Sequence, residues 1–208
     1  MILLLGLFHT AKADTQLWMK TAYRWKGIPK THFKATQHLR LEDNLTAIES
    51  IIPELEFAWR RIPWFDVGIG GRVFWRRTKN DKLELAQRIH LDIQKDWAIH
   101  KKLEASYRVR MQRRQEFDEE TADYKLRNKI NLEYDAPKKW LPNAFVEHHI
   151  SADANDKFQL GVGTKYKLNK SNRVGIKLVL ETFVNATPDN FISMINYEYR
   201  LKKKKKKK

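Results

Sequence analysis

Apolar and polar residues alternate with a period of two along almost the entire chain. In the first such segment Leu17, Met19 and Tyr23 fall on one side, and Lys20 and Arg24 fall on the other. Successive side chains of a β-strand point to opposite faces, so this period predicts strands rather than helices. Segments of this kind start near Thr15, His32, Glu54, Asp66, Lys82, Lys102, Tyr124, Asn143, Lys157, Arg173 and Phe191.

The turns between segments, and the even strand number of bacterial membrane barrels, together set the expected number of strands. Compact connections that contain Gly, Pro or Asn predict an all-β, antiparallel up-and-down barrel. The pattern gives eleven segments, whereas bacterial single-chain membrane barrels have an even number of strands. Either residues 45–52 hold a twelfth crossing, or residues 54–61 or 143–150 do not form a full span. We therefore predict about ten to twelve strands, with twelve favoured.

Nearly all charged residues of these segments occupy one register, and the other register is apolar. A soluble barrel would turn the apolar register inward, and a membrane barrel would turn it toward lipid. The length of the segments favours lipid, because about 9 to 11 tilted residues cross the hydrocarbon layer. Aromatic residues near segment ends favour it too, since their rings suit the headgroup region; they include Tyr23, Trp25, Trp59, Trp75, Tyr124, Tyr134 and Tyr166.

The cost of a misplaced charge supports the same orientation. An Arg or Lys facing lipid at mid-bilayer costs about 2 to 4 kcal/mol, so a few of them would cancel a typical stability of about 5 to 15 kcal/mol. The charged register is therefore expected to face an enclosed interior. The sequence predicts a transmembrane β-barrel.

The two ends of the chain differ from this body. Residues 1–13 begin with an apolar stretch, MILLLGLF, and end in Ala11-Lys12-Ala13, which predicts a signal peptide that is short or truncated. Residues 14–201 are assigned to the barrel, and residues 202–208 are seven lysines that we expect to be disordered. Removing those lysines and Lys12 from the formal charge of +16 leaves +8 for the body. The chain has no cysteine, which excludes disulfides, thiolate metal sites and cysteine nucleophiles.

Several motifs in order resemble one family. They are YRVRM at 107–111, YKLRNKINLEY at 124–134, Pro142, Glu147, LGVGTKYKLN at 160–169 and a terminal Tyr199-Arg200-Leu201. The stretch from Leu17 to Leu201 is similar to predicted bacterial outer-membrane proteins known only as a domain of unknown function. The resemblance implies an outer-membrane β-barrel of a Gram-negative bacterium. It implies no catalytic residue.

The interior register holds a candidate ladder of charges. A basic lumen focuses an electric field that attracts anions, whereas paired charges would plug a narrow barrel. We expect a structural or small-solute transport role, porin-like in architecture, with anions among the candidate solutes and with the plugged form favoured. The ladder consists of Arg72, Arg76, Arg88, Arg108, Arg110 and Arg127 with Glu84, Glu104, Glu133 and Glu147.

Two other functions compete with this one. A lipid-acting barrel enzyme, of phospholipase or acyltransferase type, would use a lumen serine with His149 and Glu147, and the conceivable nucleophiles are Ser106, Ser151 and Ser193. No spacing fixes a serine near His149, so we predict no enzyme and no catalytic residue. Nucleic-acid binding is not expected either, because the aromatic rings lie on the uncharged register, away from the charges that would hold phosphates.

The expected ligands and partners follow from the barrel. His148 and His149 are adjacent and point to opposite faces of a strand, so we predict no metal site, and no motif indicates a cofactor. The expected partners are outer-membrane lipids, lipopolysaccharide and the barrel-assembly machinery, which would recognise the terminal strand ending in Tyr199-Arg200-Leu201. The sequence leaves the oligomeric state open.

Overall fold

The computed structural model describes residues 15–26, 28–42, 47–60, 62–77, 83–152, 156–184 and 190–201. Both terminal predictions, the signal peptide at 1–13 and the lysine tail at 202–208, lie outside this range. No helix in the described residues is both long enough and apolar enough to span a membrane.

The described residues form an all-β closed barrel, which confirms the predicted fold class. Each strand is hydrogen-bonded to the strand before it and the strand after it in the chain. A short 3-10 turn, Pro137–Lys139, connects β7 to β8. The strands are β1 (Thr15–Lys26), β2 (Thr31–Glu42), β3 (Ala47–Trp59), β4 (Asp66–Arg77), β5 (Leu83–His100), β6 (Leu103–Glu116), β7 (Ala122–Tyr134), β8 (Trp140–Ser151), β9 (Lys157–Lys167), β10 (Asn172–Phe183) and β11 (Asn190–Arg200).

The described strands number eleven, which matches the eleven alternating segments, so the count of twelve that was favoured from the even-number rule is wrong. Of the residues 45–52, those that the structure describes, 47–52, are the first half of β3, which continues through Pro53 to Trp59, and are not a separate crossing. Residues 143–150 belong to the full strand β8. A proline lacks the N–H of a ladder bond and so resembles a strand boundary in sequence. In the structure the pairing of β3 with β4 skips Ile52 and Pro53 and then resumes in register at Glu54.

The closure of the barrel corrects the all-antiparallel prediction. In a meander the strands alternate in direction, so the first and the eleventh run the same way. β1 and β11 consequently pair in parallel, from Thr15 opposite Phe191 to Arg24 opposite Arg200, while the other neighbours are antiparallel. We call the end of the barrel where β1 starts the first end, and the end where β1 finishes the second end.

The two registers of each strand meet different surroundings. The interior register carries most of the charged groups, and the outward register carries exposed apolar side chains such as Ile69, Ile89 and Ile176. On the outward register of the described strands the Lys, Arg, Asp and Glu residues are Arg77, Lys95 and Arg113. Arg77 ends β4 and Arg113 lies three residues before the end of β6, while Lys95 lies one residue beyond the part of β5 that pairs with β4.

Aromatic rings collect on the outward register at the second end. Trp25 stacks on Phe33 at 5.5 Å between ring centroids, and Phe33 contacts Phe57 at 5.1 Å. Tyr23 stacks on Tyr199 across the parallel closure at 5.3 Å. Trp59, Trp97, Tyr134, Trp140 and Tyr166 continue the same level around the barrel.

Candidate functional site

The interior of the barrel is the candidate site, because it concentrates buried ionisable groups around a cavity of about 480 Å³. The lining residues come from the first end and from the middle of the barrel. Thirteen of them are Lys or Arg and five are Glu, so the cavity wall is strongly basic.

One cluster of charges is centred on Glu147 of β8, whose side chain is 1% exposed. Arg127 Nε donates to its Oε1 over 3.0 Å, and Arg108 Nη2 donates to the same oxygen over 3.1 Å. Lys129 Nζ donates to Oε2 over 3.0 Å. Three cations therefore share one buried carboxylate, which joins β6, β7 and β8 on the inside of the wall.

A second cluster is built on the alternating pair Glu54 and Glu56 of β3. Arg72 Nε donates to Glu54 Oε1 over 3.0 Å, and the His38 ring nitrogen Nε2 lies 3.0 Å from Glu54 Oε2. Glu56 accepts from Lys34 and from Arg110. We call this group, together with Asp92 and His90, the Glu54–Glu56 cluster.

Arg110 of β6 links the parts of this cluster across the interior of the barrel. Its Nε and Nη2 donate to the two carboxylate oxygens of Asp92 over 2.6 and 2.7 Å, a bidentate pair with the neighbouring strand. The same Nη2 lies 3.1 Å from Glu56 Oε1, on a strand three positions away in the wall. The side chain of Arg110 is 4% exposed.

Gly70 makes room for the histidine of this cluster. Glu56, Gly70 and His90 are directly opposite one another on β3, β4 and β5. A Cβ at position 70 would lie 2.5 Å from the His90 ring, so the imidazole occupies the space that a side chain would take. His90 Nε2 thereby comes within 3.6 Å of Glu56 Oε1.

Glu54, Glu56 and His90 bring three ligand-type atoms within 4.8 Å of one another. The sequence prediction of no metal site did not consider this group, since the histidine lies on another strand. Both carboxylates already contact cationic groups, namely Arg72, Lys34 and Arg110. A divalent ion would have to displace those contacts, so the arrangement is that of an ion-pair network.

Apolar side chains fill part of the interior beside the charges. Phe145, Val179 and Ile192 are buried together, and Trp18 and Met194 pack against them. Lys129 Nζ lies 3.5 Å from the centroid of the Phe145 ring, a cation–π distance. The contacts join the wall formed by β8, β10, β11 and β1.

The predicted ladder is brought together only in part. Arg72, Arg108, Arg110, Arg127 and Glu147 join the two clusters. Glu133 pairs instead with Lys165, at 2.5 Å, and Glu104 is exposed. Arg76 and Glu84 face each other on β4 and β5, but no ion pair joins them in the described chain. Arg88 lies between Arg72 and Arg114.

The alternating Glu54-x-Glu56 pattern was the signal that sequence analysis passed over. Both residues lie in the segment 54–61, which the parity argument treats as one that need not form a full span, and the predicted ladder omits them. Asp92, Lys129 and Arg114 lie on the charged register that the sequence did reveal, but their contacts depend on the barrel.

The three serines considered as nucleophiles are dispersed. Ser193 is on the outward register of β11. Ser151 and Ser106 are on the interior register, and Ser151 is buried. In the part of the chain that the structure covers, no hydrogen bond joins His149 to Ser106 or Ser151, and His149 Nε2 has no partner.

Among the solved structures that match this chain are two from work on membrane proteins. One is a loop L8 deletion variant of OmpT, an outer membrane protein of Vibrio cholerae, at 14% identity and a TM-score of 0.46. The match covers 86% of this chain and 61% of that chain, so this chain spans less than two thirds of its length. The other, from work on in-meso crystallisation of membrane proteins, has 9% identity and a TM-score of 0.42, with 86% and 79% covered.

Comparison with curated proteins gave no match. A family described as a protein of unknown function, DUF2490, matches residues 15–191, from the first residue of β1 into β11. That range includes nearly all of the barrel and both charge clusters, and it confirms the resemblance to a family of unknown function. The chain belongs to the DUF2490 family.

Proposed function

We propose that the protein is an integral β-barrel of the bacterial outer membrane, with a basic interior that is closed by ion pairs and that accepts small anions. Its role is structural or in the handling of a small solute, rather than that of a wide open pore. The observation that carries this proposal is the exposed apolar outer face around a charged interior.

Exposure of the outward side chains supports membrane insertion. Leu55, Val162 and Ile176 are 66%, 59% and 62% exposed in the isolated chain. Monomeric soluble proteins rarely expose contiguous apolar surface beyond a few hundred Å², and this surface extends around the whole barrel. Lipid would cover it, and closure leaves no unpaired strand edge in the hydrocarbon layer.

The aromatic residues at the second end support the same placement. Trp25, Trp59, Trp97 and Trp140 lie on the outward register, where indole rings suit the interface between lipid and water. The charged outward residue Lys95 lies toward the second end of the barrel and Arg113 toward the first end, and a charge near either interface of the bilayer costs about 0 to 1 kcal/mol.

The filled interior favours a closed barrel. Arg110 bridges β6 to β3, and the Phe145 group occupies the wall on the other side. An interior of eleven strands lies between side-chain-filled barrels of eight strands and open porins of sixteen, so a few long side chains suffice to obstruct it. The excess of basic residues in the cavity wall makes anions the solutes that the interior attracts.

Two measurements test the proposal. Folded protein in lipid vesicles should resist extraction by urea and migrate differently on a detergent gel before and after boiling. In planar bilayers we expect no large conductance steps, and any small current should be carried by anions. Recovery of the protein in the salt-soluble fraction of broken cells would contradict membrane insertion, and porin-sized conductance would contradict the closed interior.

A further inference from the structure

Three arginines form a row across adjacent strands of the interior. Arg72 of β4 is directly opposite Arg88 of β5, and Arg88 is directly opposite Arg114 of β6. Like charges that face each other on neighbouring strands destabilise a sheet. A row of this kind is maintained only when something in the surroundings compensates the three charges.

The described carboxylates compensate the row only at its ends. Arg72 pairs with Glu54, and Arg114 Nη2 lies 2.9 Å from Glu116 Oε1. For the central Arg88 no carboxylate lies within 4 Å in the described parts of the chain. The Nε atoms of Arg88 and Arg114 are buried and have no hydrogen-bond acceptor.

A ring beneath the row holds the guanidinium groups in place. The carbon Cζ of Arg88 lies 4.6 Å from the centroid of the Phe74 ring, and those of Arg114 and Arg72 lie 5.7 and 6.0 Å from it. The face of an aromatic ring attracts cations. Phe74 therefore gathers three guanidinium groups at one point of the wall but satisfies none of their N–H donors.

The row borders open space. All three arginines line the interior cavity of about 480 Å³, and Arg40 and Lys125 line it as well. Arg40 contributes another buried Nε without an acceptor, since its ion pair with Glu49 is made through Nη1 at 3.9 Å. Several arginines that each carry an unsatisfied donor thus line a volume large enough for a small solute.

We propose that Arg88 and Arg114, assisted by Arg72 and Arg40, form a binding site for a phosphate group, as inorganic phosphate or as the phosphomonoester of a small molecule. Planar guanidinium groups bind tetrahedral oxyanions through paired N–H donors, and a dianion would compensate the charge of Arg88, for which the described residues supply no carboxylate. This inference deepens the proposed function, because it specifies the anion that the interior holds.

Binding is measured on the full chain folded in detergent, by titration calorimetry with inorganic phosphate at constant ionic strength, with chloride as the comparison anion. The expected result is saturable phosphate binding that Arg88→Gln weakens at least tenfold. Arg24→Gln is the matched control, because Arg24 is an interior arginine at the second end that pairs with Glu198 at 2.9 Å. It should leave the phosphate affinity unchanged.

A second variant and a second readout separate binding from folding. Arg114→Gln should also weaken phosphate binding, and phosphate should raise the unfolding midpoint of the wild-type chain but not that of Arg88→Gln. Without phosphate, Arg88→Gln should unfold no more easily than the wild type, since it removes a repelled charge. Equal phosphate affinity of the wild type and Arg88→Gln, or equal effects of chloride and phosphate, would overturn the proposal.

The source of the phosphate is distinguished by a further titration with phosphatidic acid in mixed micelles. Binding of inorganic phosphate without competition by the lipid indicates a soluble ligand, and competition by the lipid indicates a headgroup. Absence of binding in both titrations would overturn the phosphate site. Membrane insertion is tested separately by extraction from vesicles, so failure of the site and failure of the proposed function give different results.

Discussion

Arg110 of β6 donates a hydrogen bond over 3.1 Å to Glu56 of β3, although β4 and β5 lie between them in the wall. The bond therefore crosses the interior instead of following the sheet. It shows that the barrel is narrow enough there for one arginine and one glutamate to meet.

Arg110→Met should destabilise the barrel by about 3 to 5 kcal/mol, because it removes a buried cation from between Asp92 and Glu56 and leaves their charges poorly compensated. Urea unfolding in lipid vesicles measures the loss. The control is Arg60→Met, which removes an Arg–Asp pair of 2.9 Å at a half-exposed site and should cost about 0 to 1 kcal/mol. Equal losses in the two variants would contradict the role of Arg110.

Gly70→Ala should destabilise the barrel by about 1 to 3 kcal/mol, because its methyl group would overlap the His90 ring. Gly71→Ala is the matched control, since its added Cβ would meet no atom closer than 3.9 Å, and it should be nearly neutral. Thermal unfolding followed by circular dichroism compares the two. Adding His90→Ala to Gly70→Ala should recover much of the loss, and an unchanged loss in the double variant would show that the ring is not the obstacle.

Val162→Arg should destabilise the membrane-inserted barrel by about 2 to 4 kcal/mol, because Val162 is central in β9 and faces outward. Ile99→Arg is the control: Ile99 is 60% exposed against 59% for Val162, but it lies near the end of β5, where the cost should be about 0 to 1 kcal/mol. Unfolding from lipid vesicles gives both values. If Val162→Arg were harmless, the outer face would not be in contact with lipid.

The parallel closure predicts a specific cross-link. Met19 and Ile195 are opposite each other on β1 and β11, and the 208-residue sequence has no cysteine to interfere. The pair Met19→Cys with Ile195→Cys should form a disulfide under mild oxidation, because neighbouring strands place Cα atoms within the range of about 4.4 to 6.8 Å that a disulfide requires. A shift in migration on a non-reducing gel reports it.

A second pair tests the direction of β11. Tyr23→Cys with Tyr199→Cys should also cross-link. In a parallel pair, Tyr23, four residues after Met19, is opposite Tyr199, four residues after Ile195. Met19→Cys with Tyr199→Cys should not, because four residues along a strand separate the sites by about 13 Å. Absence of the first two cross-links in the folded protein would mean that another strand lies between β1 and β11.

The alternation of residues was sufficient to predict the class of fold. Strand registers such as Leu83, Leu85 and Ile89 against Glu84 and Arg88 follow from the pleat alone, because neighbouring side chains point to opposite faces. The excess of Lys and Arg over Asp and Glu on the charged register could be read from the sequence for the same reason. The alternation also yields eleven segments, the observed number of described strands, and the favoured count of twelve was wrong because it assumed the even number typical of bacterial barrels, whereas β1 and β11 close this barrel in parallel.

The sequence by itself determined that one face of every strand is charged and the other apolar. Only the tertiary structure decided which charges meet: Glu56 and Arg110 are 54 residues apart, Glu147 collects three cations, and Arg88 is left between two other arginines. The physical reason is that the pleat is a local property of the backbone. Ion pairs across an interior depend instead on strand number, stagger and curvature, which no spacing along the chain encodes.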